Sequence, residues 1–284
     1  MIIPHFNQAL IDGDRITMGA GFGSEKSKDG ELIQLVPLSH ALHKAKLILN
    51  RIKEAVSADT YKIYLGSKDV KHFRYKVAKT LEYKANRKDV KRPEYEQDIR
   101  DYLVRYHGAI IVEGVEVDDA LGIEQKEDTI ICSNDKDLDM IPGWHYDIDF
   151  GIVRNFKGKD YTMKSYKKSS TYFIEDPGFL SIRKNVNGKK KLVGGGQLWF
   201  CAQLLTGDKV DNIPGCPLSS RSTYGDVSTY EALKDCKTYE DGVRTVWRLY
   251  KDNGLDKNRL FEVAQLLWIK RFLKEKIFPK EWLI

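Results

Sequence analysis

Four short runs, at 8–12, 61–65, 109–112 and 129–132, are apolar or alternating and rich in Ile, Val and Tyr. They read as strands. The stretches between them are amphipathic: from 38 to 56, Leu42, Ala45, Leu49 and Ile52 fall on one helical stripe, and from 94 to 106, Ile99, Leu103 and Tyr106 do the same. Strand alternating with helix in this way predicts an α/β fold, a mainly parallel sheet with helices on both faces. A sheet of that kind also restricts where chemistry can lie, because ligands bind outside the carboxyl ends of its strands.

Acidic residues collect at those ends. Asp12 closes the first run, Asp69 follows the second, Glu116, Asp118 and Asp119 follow the third, and Asp135 and Asp137 follow the fourth. Three acids within four positions, at 116–119, repel one another unless a cation relieves them. The stretch Gly207-Asp-Lys-Val-Asp-Asn-Ile-Pro-Gly215 adds Asp208 and Asp211, which on a helix would share one face. A single Asp in such a place is more often a helix cap or a solvated turn, but that explanation weakens when several strand ends repeat the pattern. An all-oxygen set without Cys or His suits magnesium or manganese.

A basic segment lies between the second and third runs. Between Lys71 and Arg92 nine Lys and Arg stand against two acids, a local excess of seven in a chain whose formal net charge is +6. If the nine acids named above serve metal, 32 others remain against 47 Lys and Arg, so the rest of the surface favours a polyanion. Cys132, Cys201, Cys216 and Cys236 form no Cys-x-x-Cys pair, which leaves out a zinc knuckle or a disulfide framework. No apolar run approaches the ~20 residues of a membrane span. The first residues also lack the features of a secretion signal, so the expectation is a cytoplasmic protein without a membrane partner.

From 146 to 192 the pattern changes to short Tyr- and Lys-rich segments with turn signals at Lys157-Gly158-Lys159 and Asn187-Gly188-Lys189, predicting a hairpin-rich extension. Helices are expected at 197–206, 229–234, 239–253 and 258–276. The organisation this suggests is a sheet domain over 1–196, including the basic segment at about 71–92, followed by a helical region over 197–284, which the resemblance described next implies are catalytic and DNA-binding in turn.

Five motifs, Ile11-Asp-Gly-Asp14, Tyr83-Lys-Ala-Asn-Arg87, Val115-Glu-Val-Asp-Asp119, Ser133-Asn-Asp-Lys-Asp137 and the stretch from Gly207 to Gly215, occur in one order along the chain. In that order they resemble the bacteriophage and bacterial 5′–3′ exonuclease and flap endonuclease family, and in particular the podovirus exonucleases. The resemblance implies a PIN-like sheet, a helical arch above the pocket, and a helix-three-turn-helix-like C-terminal part gripping duplex DNA. It also implies two Mg2+ ions, replaceable by Mn2+, with Asp12, Asp69, Glu116, Asp118 and Asp119 about the first and Asp137, Asp208 and Asp211 about the second. Asp135 would lie between the two as a catalytic ligand, and Lys84 and Arg87 would point toward the scissile phosphate. Tyr83 and Phe73 would stack an unpaired base or pack the arch, while Arg74, Lys76, Lys79, Lys88, Lys91 and Arg92 would bind backbone phosphates. The implied activity is two-metal hydrolysis at 5′ ends of duplex or flapped DNA, extending to RNA–DNA hybrids, by a monomer with neither a protein nucleophile nor a nucleotide cofactor. For a viral protein the setting is the host cytoplasm.

The chain departs from the family twice. Relatives carry an acid directly after the Gly that ends the second strand, whereas Leu65-Gly-Ser-Lys-Asp69 displaces it. A Gly-Ile-Gly-x-Lys-type turn that binds duplex phosphates and potassium is replaced by Cys216-Pro-Leu-Ser-Ser-Arg-Ser-Thr-Tyr-Gly225, which makes Lys209 and Arg221 its substitutes and K+ a further candidate cofactor. Two other classes compete with the nuclease. A haloacid-dehalogenase-like phosphatase would share Asp12-Gly-Asp14, but it expects a hydroxyl where Ile16 stands and gives the Tyr83 segment no role. A catalytically inactive DNA-binding module would have no reason to keep nine repelling acids. Gly19-Ala-Gly-Phe-Gly23 is no nucleotide fingerprint, since Ser24 breaks it, and is expected to form a loop near the DNA path.

Overall fold

Strands buried on both faces are apolar throughout, and that is how the central strands are built. The first unit contains β1 (Phe6–Asp12), α1 (Gly13–Ala20), α2 (Leu38–Ala55), β2 (Ala58–Gly66), α3 (Glu96–His107), β3 (Ile110–Val112), α4 (Val117–Glu124), β4 (Thr129–Cys132), β5 (Gly143–Tyr146) and β6 (Thr171–Ile174). The last four residues of β1 and all of β4 are buried. The strands form a six-stranded sheet in the order β6-β5-β4-β1-β2-β3. Pairs β1–β2, β1–β4, β2–β3 and β4–β5 are all parallel, with Asp12 opposite Tyr64 and Ile11 opposite Cys132. The expected α/β class is therefore the observed one.

This computed structural model describes residues 4–26, 32–87, 90–149, 153–156, 159–162, 170–184, 188–219 and 222–283. The chain divides into two compact units, Met1–Val70 with Lys91–Asp135 and Gly143–Phe173, and Lys71–Val90 with Lys136–Pro142 and Ile174–Ile284. The division does not fall at residue 196. Residues Lys71–Val90 of the basic segment are assigned to the unit of the C-terminal helices, and Lys91 and Arg92 to the unit of the sheet.

In the sheet unit, Phe6, Ile11, Ile16, Leu49, Ile52, Ile63, Leu65, Ile99 and Leu103 form one apolar core. Each such side chain contributes roughly 1.5–3 kcal/mol by leaving water. α1 begins directly at the end of β1 and passes so close to β2 that a Cβ on Gly13 would lie 2.7 Å from Tyr64 O. Only glycine lets the helix start there, and that start fixes the residues just after Asp12.

In the second unit, β7 (Phe179–Lys184) and β8 (Lys190–Gly195) pair antiparallel. α5 (Gly196–Thr206) follows, buried along most of its length. α6 (Asp226–Leu233), α7 (Tyr239–Asp252) and α8 (Lys257–Leu267) pack against it. Val153–Phe156 also pairs antiparallel with Lys159–Thr162, a second hairpin in the expected extension. α8 ends nine residues before the expected 276, for a local reason. Arg74, only 1% exposed, donates from Nε to Leu266 O at 2.9 Å and from Nη2 to Trp268 O at 2.6 Å. The last carbonyls of the helix are thus satisfied by a guanidinium rather than by another turn. The basic segment itself holds only short helical turns among the described residues, Arg74–Val77 and Ala85–Arg87. Among the described residues no helix is long and apolar enough to cross a membrane.

Glu262 on α8 ties down the middle of the basic segment. It accepts from the Lys79 and Thr80 N–H groups at 2.7 Å, from Thr80 Oγ1 at 2.6 Å and from Arg259 Nη1 at 3.0 Å. Burial works to raise its pKa, but the bonds from Thr80, Lys79 and Arg259 outweigh it and bring the carboxyl down from 4.5 to about 2. A pKa lowered by folding gives stability that is complete above the unfolded value and lost as pH falls through the folded one. Glu262→Gln is therefore expected to be less stable than wild type at neutral pH by about 1–3 kcal/mol. In urea unfolding followed across pH, that gap should close between 4.5 and about 2.

Candidate active site

The carboxyl rim of the sheet gathers most of the expected first-metal acids. Asp12, 3% exposed, is both the last residue of β1 and the N-cap of α1, where its Oδ1 accepts the Arg15 N–H at 3.1 Å. Its Oδ2 accepts from Ser133 Oγ at 2.8 Å, and Ser133 Oγ in turn accepts the Asp135 N–H at 3.1 Å. Glu116 caps α4, and wholly buried Asp119 accepts the Glu116 N–H at 3.1 Å, so Asp119 also shapes the turn that presents Asp118.

Arg15 stands among these acids. Its Nη2 donates to Asp135 Oδ2, and its Nε lies 3.7 Å from Asp12 Oδ2. Burial opposes the arginine's charge, yet Asp135, Asp12 and Asp118 outweigh it and hold the guanidinium more firmly protonated than usual. The acids feel the reverse. Burial lifts Asp12 to about 6, with Arg15 acting against the shift and Asp14 adding to it. Asp118 is pushed well above the carboxylate range, first by burial and then by the charges of Asp135, Asp12 and Glu116, with Arg15 again opposing. Three carboxylates, Asp12, Asp118 and Asp135, thus act on one guanidinium. Among the described residues no three acids, histidines or cysteines stand close enough to hold a metal ion as they are. The oxygens are spread about a planar cation larger than Mg2+.

Asp69 is exposed in the loop after β2, its N–H bonded to Ser67 Oγ at 3.3 Å. The acid that meets the end of β2 is Asp14, whose Oδ2 accepts the Gly66 N–H at 3.2 Å and whose Oδ1 accepts from Arg100 Nη1 at 2.9 Å. Arg100 also donates to Gly66 O. The second Asp of Asp12-Gly-Asp14 therefore locks α1 and α3 to β2. Sequence reasoning passed over Arg15 and Arg100, because an isolated arginine on an amphipathic helix carries no pattern of its own.

In the second unit the expected second-metal acids are held differently. Asp137 Oδ1 accepts from Gln203 Nε2 at 2.6 Å and from Lys136 Nζ at 2.8 Å. Asp208 and Asp211 do not share a helix face. Gly207–Asp208 pairs antiparallel with Ile213–Pro214, and Gly207 and Asn212 both take left-handed φ, which no helix continues. Asp208 Oδ1 accepts the Val210 N–H at 2.8 Å, a local Asx turn.

Asp211 is instead tied to the basic segment. Tyr83 Oη donates to Asp211 Oδ2 at 3.0 Å, Lys84 Nζ lies 3.7 Å from it, and Arg87 Nη2 donates to Oδ1. Lys84 N–H reaches Asp211 O at 2.9 Å, Asn86 Nδ2 reaches Lys209 O at 2.7 Å, and Asn212 Nδ2 returns to Glu82 O at 2.9 Å. The motifs Tyr83-Lys-Ala-Asn-Arg87 and Gly207–Gly215 are therefore partners, and the left-handed φ of Lys84 is part of their seam.

Arg74 is a correction. Expected on phosphates, it is buried, and its Nε and Nη2 are taken by the end of α8. The ring of Tyr83 is 3% exposed and packed at 5.6 Å from His72 and 5.4 Å from Tyr75, so its faces are covered. Phe73 carries Arg74 at 4.8 Å and Lys270 at 4.5 Å from its ring centre. Lys76, Lys79, Lys91, Arg92 and Lys209 are exposed. Lys91 and Arg92 pair with Glu94 and Glu96. Lys88 and Arg221 lie outside the described residues.

Strand order, parallel pairing and acids at the carboxyl rim define a PIN-like α/β fold, a mainly parallel six-stranded sheet flanked by helices. No family model matches the chain, and no curated protein matches its sequence. Among solved structures, the D15 protein of T5 co-crystallised with metal ions is similar with a TM-score of 0.51 and 15% identity, over 92% of this chain and 88% of that one. A variant of the bacteriophage T5 D15 flap endonuclease, in a pseudo-enzyme–product complex with DNA and metal ions, is similar with a TM-score of 0.55 and 16% identity, over the same 92% and 88%. At that identity the likeness is one of fold.

The reassignment of Arg74 can be measured. Arg74→Ala should cost about 2–4 kcal/mol in urea unfolding, since it leaves helix-end carbonyls buried without donors. Lys76→Ala, on an exposed side chain, should stay within about 0.5 kcal/mol.

Proposed function

We propose that the chain is a divalent-metal-dependent 5′ nuclease, a 5′–3′ exonuclease or flap endonuclease that hydrolyses phosphodiesters at 5′ ends of duplex or branched DNA, with RNA–DNA hybrids as a further substrate. The observation that carries this reading is the gathering of Asp12, Asp118 and Asp135 from three strand ends around Arg15, with Glu116 beside Asp118. The donor set fits a hard divalent ion: it offers only carboxylate oxygens, crowded closely enough to repel one another. Mg2+ is the expected ion, with Mn2+ as substitute. The fold shared with a flap endonuclease whose structures contain DNA and metal ions supports the same assignment.

When bound, two such ions supply Lewis acidity that activates water and offsets charge on the attacking and leaving oxygens. The chain's own part is positioning. Asp12, Glu116 and Asp118 would hold one ion, with Asp12 oriented by the Ser133 hydroxyl, and Asp135, set by the same hydroxyl, would complete the set. Asp137, oriented by Gln203, would serve the second ion with Asp208 and Asp211. Lys84 and Arg87, now paired with Asp211, would exchange that partner for a phosphate whose charge grows in the transition state. Exposed Lys76, Lys79 and Lys209 would contribute the salt-dependent part of DNA affinity.

The reading is tested by incubating the protein with 5′-labelled duplex, flap and RNA–DNA hybrid substrates in Mg2+ or in chelator. Cleavage only in Mg2+ is expected, and cleavage in chelator, or none on any substrate, would end it. Asp135→Ala should lose cleavage at least about 100-fold while keeping DNA affinity. Lys84→Ala should slow cleavage by about 100-fold with metal affinity unchanged.

A further inference from the structure

Arg15 has a contact pattern that sets it apart from the other arginines described above. Arg74 and Arg100 are fixed: one is buried between helix-end carbonyls, and the other has a side chain only 7% exposed, pinned between Asp14 and Gly66. The Arg15 side chain is 38% exposed, yet its guanidinium is drawn in to Asp135 and toward Asp12. Its backbone is anchored on Asp12 Oδ1, so the side chain can leave for water without disturbing α1. A divalent ion drawing the same carboxylates together needs the lone pairs that Arg15 now uses, and it cannot share them with a guanidinium without bringing two cations together.

We infer that Arg15 is a resident counter-ion that holds Asp12, Asp118 and Asp135 in register before metal arrives, then competes with the incoming divalent ion and so sets the metal threshold of the site. This rests on the metal-nuclease reading above. It assigns Arg15 as a positioning residue, whose removal has two opposite consequences. Without metal, the carboxylates lose their shared guanidinium and repel one another more strongly, and the fold loses stability. With metal, the ion no longer has to displace a charge-assisted partner, and binding tightens. An arginine that only built the pocket would give the reverse, since a disordered pocket binds metal more weakly.

Mn2+ uptake separates these cases, followed as loss of the free-ion electron paramagnetic resonance signal on the full chain. Arg15→Gln should bind Mn2+ with an apparent Kd about tenfold lower than wild type, the effect of removing one charge-assisted contact. The same variant should melt at a lower temperature in chelator and gain more from added Mn2+. Asp118→Asn, run in parallel, should lose Mn2+ sites. If wild type takes up Mn2+ and Asp118→Asn does not, but Arg15→Gln binds as wild type or more weakly, the inference is overturned and the parent reading stands. If wild type takes up no Mn2+, both fall together. Should Arg15→Gln fail to fold, Arg15→Lys decides: a point ammonium makes a poorer partner for paired carboxylates, so tighter Mn2+ binding than wild type is expected, and equal or weaker binding overturns the proposal.

Discussion

Like charge crowded at the carboxyl rim of a parallel sheet is the constraint around which the first unit is arranged. Asp12, Asp118 and Asp135 come from different strand ends, and the register that sets Ile11 opposite Cys132 brings those ends level. Such a cluster is tolerable only with positive charge or hydrogen-bond donors on it. Arg15, the Ser133 hydroxyl and the N–H groups at the start of α1 supply them. Asp12 consequently ends a strand, caps a helix and receives a hydroxyl with one side chain. The cost shows in its pKa, lifted to about 6. Gly13 follows from the same geometry, because α1 can begin at that point only if the residue after Asp12 has no Cβ.

The second unit solves a similar problem with the opposite sign. A dense basic segment repels itself, and its order comes from carboxylates set at intervals along it: Glu262 at Lys79 and Thr80, and Asp211 at Tyr83, Lys84 and Arg87. Arg74 is the exception that turns inward and terminates a helix. One helix, α8, therefore receives the segment at two places, by a guanidinium on its last carbonyls and by a glutamate on its face.

Much of this was legible in the sequence, and the rest was not, for definable reasons. The four apolar runs became β1 to β4: burial on both faces leaves a strong pattern in β4 and the end of β1, and β3, though an exposed edge, keeps the β-branched composition of a strand. β5 and β6 were missed, since 143–146 and 171–174 mix polar and aromatic residues without a clean period. The acids of the rim were legible by repetition at strand ends. Their helices were less so, because Asp-rich starts of α1 and α4 read as loops until the capping bonds are seen. Arg74 was misassigned because counting charge along a segment carries no information about burial. The pairing of Asp211 with the Tyr83 motif joins positions 128 residues apart, and no local pattern encodes that. Asp208 and Asp211 were placed on a helix by spacing alone, but Gly207 and Asn212 impose left-handed turns there.

Charge balance also bears on the alternative of a catalytically inactive module. A rim with only a structural duty would be more stable with Asn in place of Asp118, which is desolvated, surrounded by carboxylates and opposed by a single shared arginine. Residues held against their own stability mark places where function outweighs packing. In the basic segment, Lys84 and Arg87 both reach Asp211, an acid of the Gly207–Gly215 motif. On the nuclease reading proposed above, these cation–carboxylate pairs would open by exchange: a phosphate would take the arginine and lysine, and a divalent ion would take the acids. A binding module would need only the first exchange, whereas the second would give the excess of acid at the rim its use.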